Sequence, residues 1–254
     1  MSGRLHGRVA AISGSSRGIG LAVARAFLAE GAKVAVNSRD AAVADRVAEE
    51  LGGGSVGIGA DVSIEEGATA LVRGTIEAFG RLDVLVNNAG MSAAIPTLEL
   101  DLDRWQKVVD LNMTSVFLCS REAARHMLEA GRGSIINTAS IISFASFPRR
   151  LAYGATKAAV VQMTRIMAAE WAPKIRVNAV APGYVRTEMT EKLQAEGRID
   201  FEAIKRRTPL RRMATPDELA GAYVFLAGDE AGFITGETVV VDGGWLAFGA
   251  FEGV

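Results

Sequence analysis

The chain has 254 residues, 49% of them hydrophobic, enough to bury a large core in one domain. With 28 Lys and Arg against 29 Asp and Glu, the formal net charge is −1, which provides no general electrostatic footprint for nucleic acid or an anionic membrane surface. A single cysteine, Cys119, excludes an intramolecular disulfide, and with His6 and His126 far apart no metal site is expected. No window reaches about 18 uninterrupted apolar residues and the first eight residues hold no apolar signal core, so a soluble cytoplasmic protein is expected.

From the N-terminus, short apolar runs alternate with amphipathic helical patterns: 9–12 before 19–29, 34–36 before 41–51, and 56–60 before 65–79. Further strand patterns fall at 84–86, 134–138, 176–180 and 238–241, and a long helical pattern runs over 102–128. This alternation predicts an α/β chain: a single-domain Rossmann fold over 1–254, with a doubly wound, seven-stranded parallel sheet and helices on both faces. No linker or repeat interrupts it, and Gly52-Gly53-Gly54 reads as a turn.

The first strand-to-helix turn is Ser13-Gly14-Ser15-Ser16-Arg17-Gly18-Ile19-Gly20. Small residues there let the backbone approach a pyrophosphate, which the helix N-terminus attracts with free N–H groups and a positive dipole end. The Gly14, Gly18, Gly20 spacing departs from the G-x-G-x-x-G fingerprint. At the end of the second strand an NAD site would place a carboxylate against the ribose 2′-OH, but this chain has Asn37-Ser38-Arg39. Ser38 and Arg39, with Arg17 close by, suit a 2′-phosphate, so NADP(H) is expected in preference to NAD. Asp61-Val62 reads as a polar helix entry, while Asn87-Asn88-Ala89-Gly90 offers small residues for close approach and amides able to bridge strands. Asn112 is a polar residue set among Leu111, Val116 and Phe117.

Ser140 ends the fifth strand pattern, and Tyr153-Gly154-Ala155-Thr156-Lys157 opens an Ala-rich helix running to Trp171. One helical turn sets the Tyr153 phenol beside the Lys157 ammonium, and a nearby cation favours phenolate, moving the tyrosine towards neutral pKa as an acid or base. Phe144 and Phe147 in the intervening loop suggest apolar pocket walls, and Arg149 and Arg150 are candidates to receive a carboxylate or phosphate.

Ser140, Tyr153 and Lys157 resemble the catalytic set of the short-chain dehydrogenase/reductase family. The resemblance runs from Val9 to Gly244 with every motif in order: the Gly14-x-x-x-Gly18-x-Gly20 loop, with Ser13 in place of the commoner threonine, then Asn87-Asn88-Ala89-Gly90 and the Pro182-Gly183 segment. It implies reversible hydride transfer between NADP(H) and a carbonyl or alcohol carbon. Ser140 would hydrogen-bond the substrate oxygen and Tyr153 would exchange its proton. Lys157 would lower the Tyr153 pKa and bind the nicotinamide ribose, and Asn112 would kink its helix and hold a relay water. It also implies cofactor contacts from Gly14, Ser16, Arg17, Gly18, Ile19, Gly20, Asp61, Val62, Asn88, Ala89 and Gly90, and from Pro182, Gly183, Val185 and Thr187 on the nicotinamide side. The charged stretch 187–208 would form a small substrate lid.

A 3-oxoacyl-thioester reductase is the alternative, with Arg132, Arg149 and Arg150 meeting an acidic carrier protein; a cofactor-sensing Rossmann protein without chemistry is a second. The substrate stays open. Met163, Ile166, Met167 and Trp171, with Val116 and Phe117, predict an apolar patch and a homo-oligomer, most simply a homotetramer.

Overall fold

The computed structural model describes residues 3–249. The termini of the domain read over 1–254, including Met1 and Ser2 of the polar N-terminal stretch, lie outside the described residues. Seven parallel strands form one sheet: β1 Val9–Ile12, β2 Lys33–Ser38, β3 Ser55–Gly59, β4 Val84–Asn87, β5 Gly133–Thr138, β6 Ile175–Pro182 and β7 Thr238–Val241. Their spatial order is β3-β2-β1-β4-β5-β6-β7, so the winding reverses between β1 and β4, and a crevice opens beyond the carboxyl ends of those two strands.

Both faces are covered, which is why the strands read as continuous apolar runs rather than alternating ones. Alternate residues point to opposite sides: Ala10, Ile12, Val84 and Val86 face one core, Ala11 and Leu85 the other. The first core is closed by α1 Gly18–Ala29, α2 Ala41–Leu51 and α9 Pro216–Ala227, with Val23, Phe27, Val47 and Leu219 buried against the strands. The second is closed by α3 Glu65–Phe79, α5 Ser115–Ala130 and α6 Leu151–Trp171, through Leu71, Met127 and Val160. Each fully buried Leu, Ile, Val or Phe contributes roughly 1.5–3 kcal/mol. These side chains are the main force holding the helices on the sheet.

The long pattern over 102–128 is two helices. The first, α4 Leu102–Val109, passes into α5 through a π turn, Asp110–Thr114, centred on Asn112. Within it the Ser115 N–H reaches back to the Asp110 carbonyl, and the Ser115 hydroxyl takes up the displaced Leu111 carbonyl. Two short helices, α7 Glu188–Ala195 and α8 Phe201–Arg207, occupy the charged stretch before α9. Among the described residues no helix is long and apolar enough to cross a membrane, and no cluster of metal-ligating residues occurs.

Candidate active site

Because the strands are parallel, their carboxyl ends lie along one rim of the sheet, and the candidate residues collect there. Gly14 and Gly18 hold φ of 60° and 57°, left-handed values that a side chain strains. A Cβ on Gly20 would lie 2.5 Å from Asn88 Nδ2 and 2.6 Å from the Gly14 carbonyl oxygen. The loop is tied down on two sides. On one, the Ser13 hydroxyl accepts the Asn88 and Ala89 N–H groups at 2.9 and 3.0 Å, and Asn88 Nδ2 donates to the Ser13 and Gly14 carbonyls. On the other, Asn37 accepts the Gly14 N–H at 3.0 Å and donates to the Ile58 and Ala60 carbonyls. The Asn88 side chain is thus a strut of the loop. Asn37, buried and without a role in the Asn37-Ser38-Arg39 reading, is a second strut; its signal is a polar residue near the end of an apolar strand, which has to find buried partners.

Helix α1 starts at Arg17 with no side-chain cap and no acidic residue in its first turn, so its N–H groups stay open to an anion beside Ser16 and Ile19. Arg17 and Arg39 are exposed and have no ion-pair partner among the described residues, and the Ser38 hydroxyl accepts the Asp40 N–H. Asp61 spends one carboxylate oxygen on the Ser63 N–H and hydroxyl. Val62 and Val185 are buried in the two cores and offer the rim only backbone. Pro182 ends β6, Gly183 runs so close to Asp242 that a Cβ would lie 2.7 Å from its Cα, and the Thr187 methyl comes within 3.8 Å of a Cβ on Gly18. The open helix terminus, the side-chain-free cradle and the two free arginines fit a phosphorylated dinucleotide.

Past β4, the chain crosses directly over the second half of the site. A Cβ on Gly90 would lie 3.3 Å from Asn112 Oδ1 and 3.7 Å from Lys157 Nζ. Asn112, fully buried at the π turn, accepts the Met91 N–H at 2.8 Å and donates to the Met91 carbonyl at 2.9 Å and to the Thr156 hydroxyl. Lys157 is buried in α6, with Nζ donating to the Thr138 carbonyl at 2.6 Å and lying 5.9 Å from the centre of the Tyr153 ring. Ser140, two residues past the end of β5, faces the Tyr153 phenol and opposes the rise in its pKa. Ser140, Tyr153, Lys157, Asn112 and Gly90 therefore meet at one point. Thr138 is an unanticipated member: its carbonyl holds Lys157, and its hydroxyl pairs with the buried Tyr223 phenol of α9 at 2.9 Å.

The titration of the pair differs from the sequence expectation. Burial pushes the Tyr153 phenol above its usual pKa, opposed by the Ser140 hydrogen bond and the charge of Arg150. The ammonium of Lys157 is turned to the Thr138 carbonyl, and the cation that acts on the phenol is Arg150. Burial lowers Lys157 itself to about 8. Cys119 is pushed up to about 12 by burial and is an inert thiol.

Phe147 stacks on Trp245 with ring centres 5.1 Å apart, and Tyr184 tilts against the same indole, forming an aromatic wall beside Arg150; Phe144 is largely exposed. Arg132 does not join Arg149 and Arg150. It precedes β5, at the opposite end of a strand about 20 Å long, and pairs with Asp83 at 3.6 Å.

A family model described as "Enoyl-(Acyl carrier protein) reductase" matches residues 14–246. Among curated relatives, a 3-oxoacyl-[acyl-carrier-protein] reductase of Synechocystis sp. is 42% identical over 250 residues, covering 96% of this chain and 99% of the relative. A galactitol 2-dehydrogenase (L-tagatose-forming) of Cereibacter sphaeroides is 42% identical over 251 residues, covering 96% and 97%. Among solved structures, a gluconate 5-dehydrogenase from Burkholderia cenocepacia in complex with NADP and tartrate superimposes with a TM-score of 0.91 at 36% identity, over 96% of this chain and 97% of that one.

Proposed function

The chain belongs to the short-chain dehydrogenase/reductase family and is an NAD(P)-dependent oxidoreductase acting on carbonyl or CH–OH groups; on that premise we propose that it is an NADP(H)-dependent carbonyl reductase and alcohol dehydrogenase working through Ser140, Tyr153, Lys157 and Asn112. The observation that carries this reading is the convergence of the Tyr153 phenol and Ser140 with a buried Lys157 ammonium one helical turn away. A nicotinamide, when bound, supplies or takes up the hydride. The protein's own groups manage the proton. With its pKa raised, Tyr153 is protonated at neutral pH and donates its proton to the substrate oxygen as charge develops there, while the Ser140 hydroxyl hydrogen-bonds the same oxygen. The Arg150 charge favours the phenolate left behind, and the Lys157 ammonium, 5.9 Å from the Tyr153 ring, would hold the nicotinamide ribose. The Asn112 amide locks Met91, and with it the Gly90 turn, against the site.

Gly14, Ser16, Gly18, Ile19 and Gly20 would cradle the pyrophosphate. Arg17, Ser38 and Arg39 would take the 2′-phosphate, Asp61 and Val62 the adenine, Ala89 and Gly90 the adenosine side, and Pro182, Gly183, Val185 and Thr187 the nicotinamide side. The stretch 187–208, carrying α7 and α8, would serve as the substrate lid of a single domain in a cytoplasmic homotetramer. A 3-oxoacyl-thioester reductase is the second reading, supported by the Synechocystis relative. Steady-state rates with NADPH and NADH against a panel of ketones, oxo acids and acetoacetyl thioester test the reading. NADPH should be preferred, and Arg39→Asp should weaken it about tenfold to a hundredfold, the loss of a charge-assisted contact of roughly 1.5–3 kcal/mol. Equal use of NADH by the parent protein would contradict it.

A further inference from the structure

Resting on that reading, we infer that the substrate is a small oxo or hydroxy acid whose carboxylate is received by Arg150 beside Tyr153. Arg150 stands at the N-terminal end of α6, three residues before the phenol, and its side chain reaches across the mouth of the site to donate from Nη1 to the Ser92 hydroxyl at 2.7 Å. Ser92 follows Met91, which the Asn112 amide fixes on both its N–H and its carbonyl. The guanidinium is thus positioned between two anchored elements, with Ser92 as its one hydrogen-bond partner among the described residues and no carboxylate paired with it. A guanidinium offers five N–H donors in a planar fork that matches a carboxylate.

Two further observations place the positive charge on the substrate side. The Arg150 charge acts on both the Tyr153 and Tyr184 phenols, so the guanidinium that Ser92 holds is near both the reacting group and the aromatic wall. Across that wall, Arg207 of α8 stacks over Trp245 at 4.5 Å and Phe248 at 5.3 Å, with its Nη1 buried and without a hydrogen-bond partner. The flanks of the aromatic cluster therefore present cations that no acid of the described chain neutralises. A neutral carbonyl substrate would leave the Arg150 fork partly desolvated and unpaired when it docked, whereas a carboxylate near the reacting carbon would replace lost water with charge-assisted bonds. A thioester is neutral at that position, so the charge discriminates between the two readings of the substrate.

Acetoacetate and methyl acetoacetate are a matched pair differing in that charge. Their dissociation constants from the NADP-loaded protein, measured by calorimetry, should differ at least tenfold in favour of the acid. Arg150→Gln should abolish the difference, Arg150→Lys should restore part of it, and NADP binding should persist in both. Equal binding of acid and ester by the parent, or an acid preference that survives in Arg150→Gln, would overturn the assignment. Turnover is scored separately: an acid preference in binding with no NADPH oxidation by any carbonyl would leave the anion site standing and sink the proposed reaction.

Discussion

At the residue scale, Lys157 shows how function is held against stability. Its folded pKa of about 8 lies below the ordinary value of 10.5, so between those values the unfolded chain binds more protons and stability rises with pH. Below about pH 8 the penalty for burying the charge is fully present, on the order of 3 kcal/mol from the size of the shift. Lys157→Met removes that penalty and leaves one carbonyl, that of Thr138, without its donor, at roughly 1–3 kcal/mol. The variant should therefore melt at or above the parent temperature at pH 7 while losing cofactor affinity and rate together. In the parent, the rate of carbonyl reduction should fall as pH rises through about 8 and the ammonium loses its charge. A variant that melts several degrees lower, with a parent pH profile flat from 7 to 9, would show that the charge is neither costly nor used. The positions of Tyr153, Lys157 and Ser140 were legible because one helical turn and one strand end fix them; the direction of the Tyr153 shift was not, because burial and the aim of Lys157 towards Thr138 are tertiary facts.

At the element scale, the strands and α1 to α3 follow from apolar periodicity and turn residues. The break at Asn112 was implied by the family resemblance, which has that residue kink its helix, but apolar periodicity alone did not show it, because a π turn departs from the helical period by a single residue. Helix α9 was also missed, although Thr215-Pro216-Asp217-Glu218 spells a capping box with proline at the first turn, and the Thr215 hydroxyl and Glu218 carboxylate cap each other's backbone as that sequence allows. The apolar patch expected on α5 and α6 is narrower than its sequence indicated. Val116 and Met167 point into the core, leaving Phe117 and Ile166, 46% and 47% exposed, with Met163 and Trp171 half-buried. Phe117 is additionally covered by the Arg121 guanidinium at 5.0 Å. What remains still lines both helices on their outer side, so light scattering at micromolar concentration should return an oligomeric mass, and Phe117→Glu with Ile166→Glu should shift it downwards. A monomeric parent would contradict the assembly.

At the scale of the whole molecule, the sheet order brings residues from six strand ends to one rim, and the dinucleotide half and the chemical half of the site meet where Gly90 crosses Asn112 and Lys157. The alternation of strands and helices made this architecture legible. The bridging amide of Asn88 was legible in its motif, whereas the strut Asn37 and the separation of Arg132 from Arg149 and Arg150 became visible only once the sheet register was set. The proposed reaction turns on proton donation by Tyr153 to a carbonyl oxygen during hydride transfer. The measurement that bears on it most directly is NADPH oxidation with oxo acids and ketones by Tyr153→Phe, alongside its NADPH dissociation constant. A positioned general acid supplies on the order of 10²–10⁴-fold, so turnover should fall at least about a hundredfold while NADPH binds within about threefold of the parent; a variant retaining more than about a tenth of the parent rate would contradict the assignment.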